Sequence, residues 1–70
     1  MEILGQRIKE LRIEKNITQP QLAQKIGVSN GIVSQWENNK NEPKATFIKK
    51  LAIALKTSSD YLIGLTDELN

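Results

Sequence analysis

The sequence predicts an all-α fold built from five short helices. Three observations carry that prediction. Apolar residues recur at spacings of three and four along most of the chain, and no stretch alternates with the period of two that a half-buried strand shows. Capping and helix-stopping residues then divide the chain at short intervals, leaving no interior linker, repeat or low-complexity segment. Seventy residues are room for one domain, placed at residues 1–64, with 65–70 as a tail or the start of a linker.

The first helix is expected over Ile3 to Lys15, where Leu4, Ile8, Leu11 and Arg12 share one face and Asn16 follows as a residue that tolerates a left-handed stop. Thr18 opens the second helix. With Gln21 three residues on it forms a capping box, and Pro20 falls in the first turn, where a missing N–H costs little. Leu22, Ala23 and Ile26 make the apolar stripe of this helix, and Gly27 stops it. Ser29 caps a third helix running to about Glu37, with Val33 and Trp36 pointing one way and Asn30, Gly31, Ser34 and Gln35 the other. A polar, turn-prone stretch leads to Pro43 and a fourth helix over Lys44 to Leu55, burying Phe47, Ile48, Leu51, Ala52 and Leu55. Ser58 caps the last helix, Ser59 to Ile63, which Gly64 closes.

Composition narrows the chemistry. The chain holds no cysteine and no histidine, which excludes disulfides, the usual zinc sites, thiol nucleophiles and histidine-based triads. Its carboxylates are scattered over surface faces and it has no Gly-rich phosphate loop, so an enzyme is rejected and neither cofactor nor metal is expected. No apolar run approaches the ~18 residues of a membrane span, and the start lacks a signal-peptide core, so a soluble cytoplasmic chain is expected. Charge is unevenly placed. Residues 1–56 carry all ten Lys/Arg against five acids, a net +5, whereas residues 57–70 carry three acids and no base. A basic body with an acidic end points to a polyanionic partner away from the C-terminus.

Gln19 to Trp36 is the decisive stretch: two short helices joined by a three-residue turn. Ala23 is small where the helices must cross closely, Gly27 makes the corner, and Val33 with Trp36 anchors the third helix on the second. Small, glycine and apolar residues at these offsets mark a helix-turn-helix, whose second helix enters a DNA major groove.

The run from Thr18 to Leu55 resembles the DNA-binding domain of phage repressors and Cro proteins, the lambda-repressor-like or XRE type of helix-turn-helix. The resemblance extends over about Leu4 to Gly64. It is carried most strongly by Thr18-Gln19…Leu22-Ala23, Gly27-Val28-Ser29, Ser34-Gln35-Trp36-Glu37-Asn38 and Pro43…Leu51-Ala52…Leu55. It implies a compact five-helix bundle and a sequence-specific regulator of transcription, a repressor that binds an inverted-repeat operator in double-stranded DNA as a homodimer. By the same resemblance, Ser29, Asn30, Gly31, Ser34 and Gln35 face bases or the flanking backbone, and Gln19 and Asn38 hold phosphates. The resemblance likewise implies that Arg12 and Glu37 form a partly buried ion pair that buttresses the third helix. The chemistry of the side chains agrees: the amides of Asn30 and Gln35 can pair bidentately with adenine, and neutral amides at a helix N-terminus suit phosphate oxygens. Lys40 and Lys44 lie near enough in sequence to add backbone charge.

The chain departs from that family at three points. Gly31 offers no side chain where many members read a base, Lys56 stands where glycine is common, and Asn38-Asn39 replaces a frequent basic residue and glycine. Trp36, on the Val33 stripe, is read as core; Lys44, Lys49, Lys50 and Lys56 are read as a solvated face. Tyr61, Ile63 and Leu65 are candidate dimer contacts, with Leu69 a further apolar residue of the tail, while Leu62 is expected in the core. The competing reading is a protein-interaction module of the same fold, such as an antitoxin or anti-repressor partner, using the fourth and fifth helices.

Overall fold

In the computed structural model, which describes residues 2–68, five helices follow in order: α1 Glu2–Glu14, α2 Gln19–Ile26, α3 Asn30–Glu37, α4 Ala45–Ala54 and α5 Ser59–Ile63. Among the described residues there is no strand. Leu69 lies outside the described residues. Each boundary has a local cause. Thr18 accepts the backbone N–H of Gln21 at 3.2 Å while the Gln21 side chain accepts the N–H of Thr18 at 2.9 Å, the reciprocal box expected at the head of α2. Ser29 and Ser58 accept from Ile32 and Tyr61 in the same way. Lys44, expected inside the fourth helix, is its extended N-cap instead, and Leu55 is its C-cap, so α4 is one residue shorter at each end.

All five helices stop by one device. Asn16, Gly27, Asn39, Lys56 and Gly64 take positive φ values. The backbone N–H of the next residue then reaches back to an otherwise unpaired carbonyl: Ile17 to Arg12, Val28 to Ala23, Lys40 to Gln35, Thr57 to Ala52 and Leu65 to Asp60, at 2.8–3.0 Å. This is the left-handed helix stop that glycine adopts most easily, with asparagine next. Lys56 bears the conformational cost that its sequence position implies, with φ 54.

The helices enclose a single core. Leu4, Ile8 and Leu11 from α1, Leu22 and Ile26 from α2, Val33 and Trp36 from α3, Leu51 from α4 with its C-cap Leu55, and Leu62 from α5 are all buried in one cluster. Phe47 and Ile48, expected as core, are only half-buried and pack against its edge; the Phe47 ring lies 5.7 Å from that of Trp36. Helices this short are marginal in isolation, so α2 and α3 owe their persistence to the apolar faces they bury. α3 is held between α2 and α1, and α5 closes the bundle against α1 and α4. Gly5 is what admits α3. A Cβ there would overlap the Trp36 carbonyl oxygen and the Asn39 side chain, so α1 offers bare backbone where the end of α3 arrives.

Candidate nucleic-acid interface

α3 is eight residues with two unlike faces. Val33, Trp36 and Glu37 are buried, while Ser29, Asn30, Gly31 and Gln35 are exposed and Ser34 is half-buried. The four residues 30, 31, 34 and 35 therefore share one solvent-facing surface of neutral amides, a hydroxyl and a bare backbone, as the sequence predicts. Its C-terminal end is ordered by local hydrogen bonds. The Asn38 amide donates to the Ser34 carbonyl at 2.9 Å and lies 3.4 Å from the Ser34 hydroxyl, and Asn41 donates to Gln35 Oε1 at 3.5 Å.

Behind this surface sits a charged brace. Among the described residues Glu37 is the one charged residue that is buried, with its side chain 1% exposed. Arg12 grips it bidentately, Nε to Oε2 at 2.5 Å and Nη2 to Oε1 at 3.0 Å, and donates a further bond from Nη1 to the Ile17 carbonyl at 2.9 Å. Planar guanidinium–carboxylate pairing of this kind fixes orientation as well as charge. The brace has a third member that sequence reasoning assigned elsewhere: Gln19 Nε2 donates to Glu37 Oε1 at 3.0 Å. At the head of α2, Gln19 thereby ties α1, α2 and α3 together at one carboxylate. What it can offer a phosphate is its backbone N–H at the start of α2 and the second hydrogen of its amide, not a fully free side chain.

The basic candidates fall beside this face. Lys40 and Lys44 are exposed, and Lys44 joins Val28 and Ile32 of the α3 flank, with Pro43 and Phe47, around a cleft of about 240 Å³. A second cleft of about 340 Å³ lies between α2 and α4, lined by Lys25, Ile26, Lys50, Ile53 and Ala54. Ile53 is 69% exposed, an apolar side chain that sequence reading did not single out. Of the proposed dimer contacts, Leu65 is exposed, while Ile63 and Tyr61 are half-buried. Tyr61 has one ring face covered by the Arg7 guanidinium, 4.0 Å from its centroid.

Arg7 is the largest omission of the sequence reading. From α1 it donates to the carbonyls of Tyr61 and Thr66, at 2.5 and 2.7 Å, and to Asp67 at 2.7 Å. Partners more than fifty positions away leave no local trace in a sequence. Gly5 did leave one: a glycine beside the apolar stripe of a helix, where alanine is intrinsically better, asks for a close neighbour. Among the described residues no helix is long and apolar enough to cross a membrane, and no acidic cluster is disposed to hold a metal ion.

A family model described as helix-turn-helix matches residues 8–62, most of the chain and the whole of α2, α3 and α4. The chain belongs to the XRE-type helix-turn-helix family. It is 39% identical over 62 residues to the repressor protein C2 of Salmonella phage P22, and 34% identical over 61 residues to the transcriptional regulator ImmR of Bacillus subtilis. Those alignments cover 89% and 87% of this chain but 29% and 48% of the relatives, so the chain corresponds to less than half of either protein. Among solved structures, the P22 c2 repressor in complex with a synthetic operator is similar with a TM-score of 0.83 over 89% of this chain and 94% of that one. The N-terminal DNA-binding domain of SinR from Bacillus subtilis is similar with a TM-score of 0.83 at 34% identity, covering 90% and 93%. Within this helix-turn-helix, α2 and α3 form the eponymous pair, and the Gly27 corner, φ 87, sets the angle between them.

Proposed function

We propose that this helix-turn-helix chain is a sequence-specific double-stranded DNA-binding regulator of transcription that represses by occupying its operator. The observation that carries the reading is the exposed face of α3, whose amides and hydroxyl are presented by a helix locked from behind by the Arg12–Glu37–Gln19 brace. A major groove admits one α-helix, and Asn and Gln are the side chains that pair bidentately with adenine. Asn30, Ser34 and Gln35 read base edges, and Ser29 and Gly31 lie against bases or the flanking backbone. Gln19, Asn38, Lys40 and Lys44 hold phosphates, which set register without reading sequence. The complexes of the P22 c2 repressor with a synthetic operator and of SinR with DNA support the same use of the same fold.

The chain acts as a homodimer on an inverted repeat, with half-sites about 34 Å apart so that two α3 helices enter successive turns of one groove face. Leu65 and Ile63, with the free side of Tyr61, are the dimer contacts, and the cytoplasm is the compartment in which such a regulator works. Selection from a random duplex DNA pool at two salt concentrations tests the reading. Convergence on an inverted repeat is the expected result. Binding that stays random and only fades with salt is counterion release without readout, and it overturns the reading.

One observation favours a second reading. The α2–α4 cleft, lined by exposed Ile53 with Lys25 and Lys50, is apolar and basic together, a surface suited to a protein partner. Paired Asn30→Ala and Gln35→Ala substitutions separate the two: they abolish specific DNA binding in the first reading and leave the activity of the second intact.

A further inference from the structure

The exposed face of α3 has a crest, and glycine occupies it. Successive helical residues turn by about 100°. With Val33, Trp36 and Glu37 marking the buried side, the opposite direction falls on Gly31, with Ser34 on one side of it and Gln35 on the other. Nothing within the chain asks for glycine at this position. Gly31 is not among the residues of positive φ, and a Cβ added to it would meet only the Ser29 hydroxyl, at 3.8 Å, an ordinary contact. Gly5, whose Cβ would strike the α3 backbone, and Gly27, with φ 87, have reasons inside the fold; Gly31 has none. Glycine is also the least favourable residue in a helix after proline, so the free protein would be better served by alanine.

We infer that Gly31 is a silent position at the centre of the reading face: the base pair beneath the crest is contacted by no side chain, and it lies between pairs specified by Gln35 on one side and by Asn30 and Ser34 on the other. The inference rests on the DNA-reading function proposed above and makes it more specific. The four base pairs differ in the major groove by donor, acceptor and methyl positions, and telling them apart takes a side chain that reaches them. A bare Cα carries no such group. The operator should therefore hold one degenerate position inside each half-site, flanked by specified pairs.

The test is a pair of selections from a random duplex DNA pool, one with the unaltered chain and one with Gly31→Gln, each confirmed as folded by thermal melting. The unaltered chain is expected to yield half-sites with near-equal base frequencies at one interior position. Gly31→Gln is expected to keep the flanking pairs and to gain a preference for adenine at the formerly silent one, about tenfold in equilibrium binding. Half-sites specified at every contiguous position for the unaltered chain overturn the inference. So does a folded Gly31→Gln chain that loses operator binding altogether, because the bare crest would then serve close approach of the helix backbone. A Gly31→Gln chain that binds well and leaves the position degenerate overturns the assignment of that base pair to Gly31. A pool that stays random with the unaltered chain is a separate result, which removes the DNA reading itself and this inference with it.

Discussion

Arg12 shows how one residue can belong to fold and site at once. It lies on the apolar stripe of α1 because its partner does: Glu37 is buried at the end of α3, and the two charges are tolerable there only together. Removing one partner of such a pair strands the other, which typically costs about 3–5 kcal/mol. That is a large share of the ~4–10 kcal/mol by which seventy residues are ordinarily stable. Arg12→Ala is therefore expected to lower the thermal midpoint steeply, whether or not DNA is present, and Arg12→Ala combined with Glu37→Gln should recover part of the loss. A melt unchanged by Arg12→Ala would show that the brace carries no weight. The same brace gives Gln19 a role the sequence did not show: the position was matched to a phosphate contact, and the buried carboxylate it also serves arrives from a helix eighteen residues on.

At the scale of the helix, the stops are more informative than the starts. Four of the five left-handed stops fall on glycine or asparagine, and Lys56 is the exception. A residue with a Cβ pays a steric penalty there that glycine escapes, partly offset by the greater freedom of glycine in the unfolded chain. Lys56→Gly is accordingly expected to stabilise the protein by about 0.5–1 kcal/mol, which for a domain of this size raises the melting temperature by about 2–8 °C. Calorimetry of the purified variant checks it, and a lower melting temperature would mean that the Lys56 stem packs on the surface to a degree that outweighs its backbone. The exposure of Lys56 argues against that.

For the molecule as a whole, the bundle is closed by α5 packing on α1, and Arg7 is the fastening. Its side chain is 11% exposed and it meets two backbone carbonyls, whereas Asp67, its ionic partner, is 95% exposed. The carbonyl bonds should matter and the exposed ion pair should not. Arg7→Ala is expected to cost about 1–3 kcal/mol and to speed hydrogen exchange first at the amides of α5 and of residues 64–66, while Asp67→Ala stays within about 0.5 kcal/mol of the unaltered chain. Equal effects of the two substitutions would contradict the ranking. Because Leu65 lies between the carbonyls that Arg7 holds, the same clamp governs how that exposed side chain is presented at the surface.

What the sequence determined by itself is local. Caps such as Thr18 with Gln21, stops such as Gly27, and the three- and four-residue spacing of Leu4, Ile8 and Leu11 act within one or two turns of backbone, so the all-α class, the order of the five helices and the two faces of α3 could be read directly. The helix-turn-helix was legible for the same reason, since Ala23, Gly27 and Val33 lie within eleven residues of one another. Only the tertiary structure decided that Gln19 serves Glu37, that Gly5 makes room for the Trp36 carbonyl, and that Arg7 holds the segment after α5. Each joins residues on different helices, and which side chains meet across such distances is set by the packing of all five helices at once, a property no local spacing records.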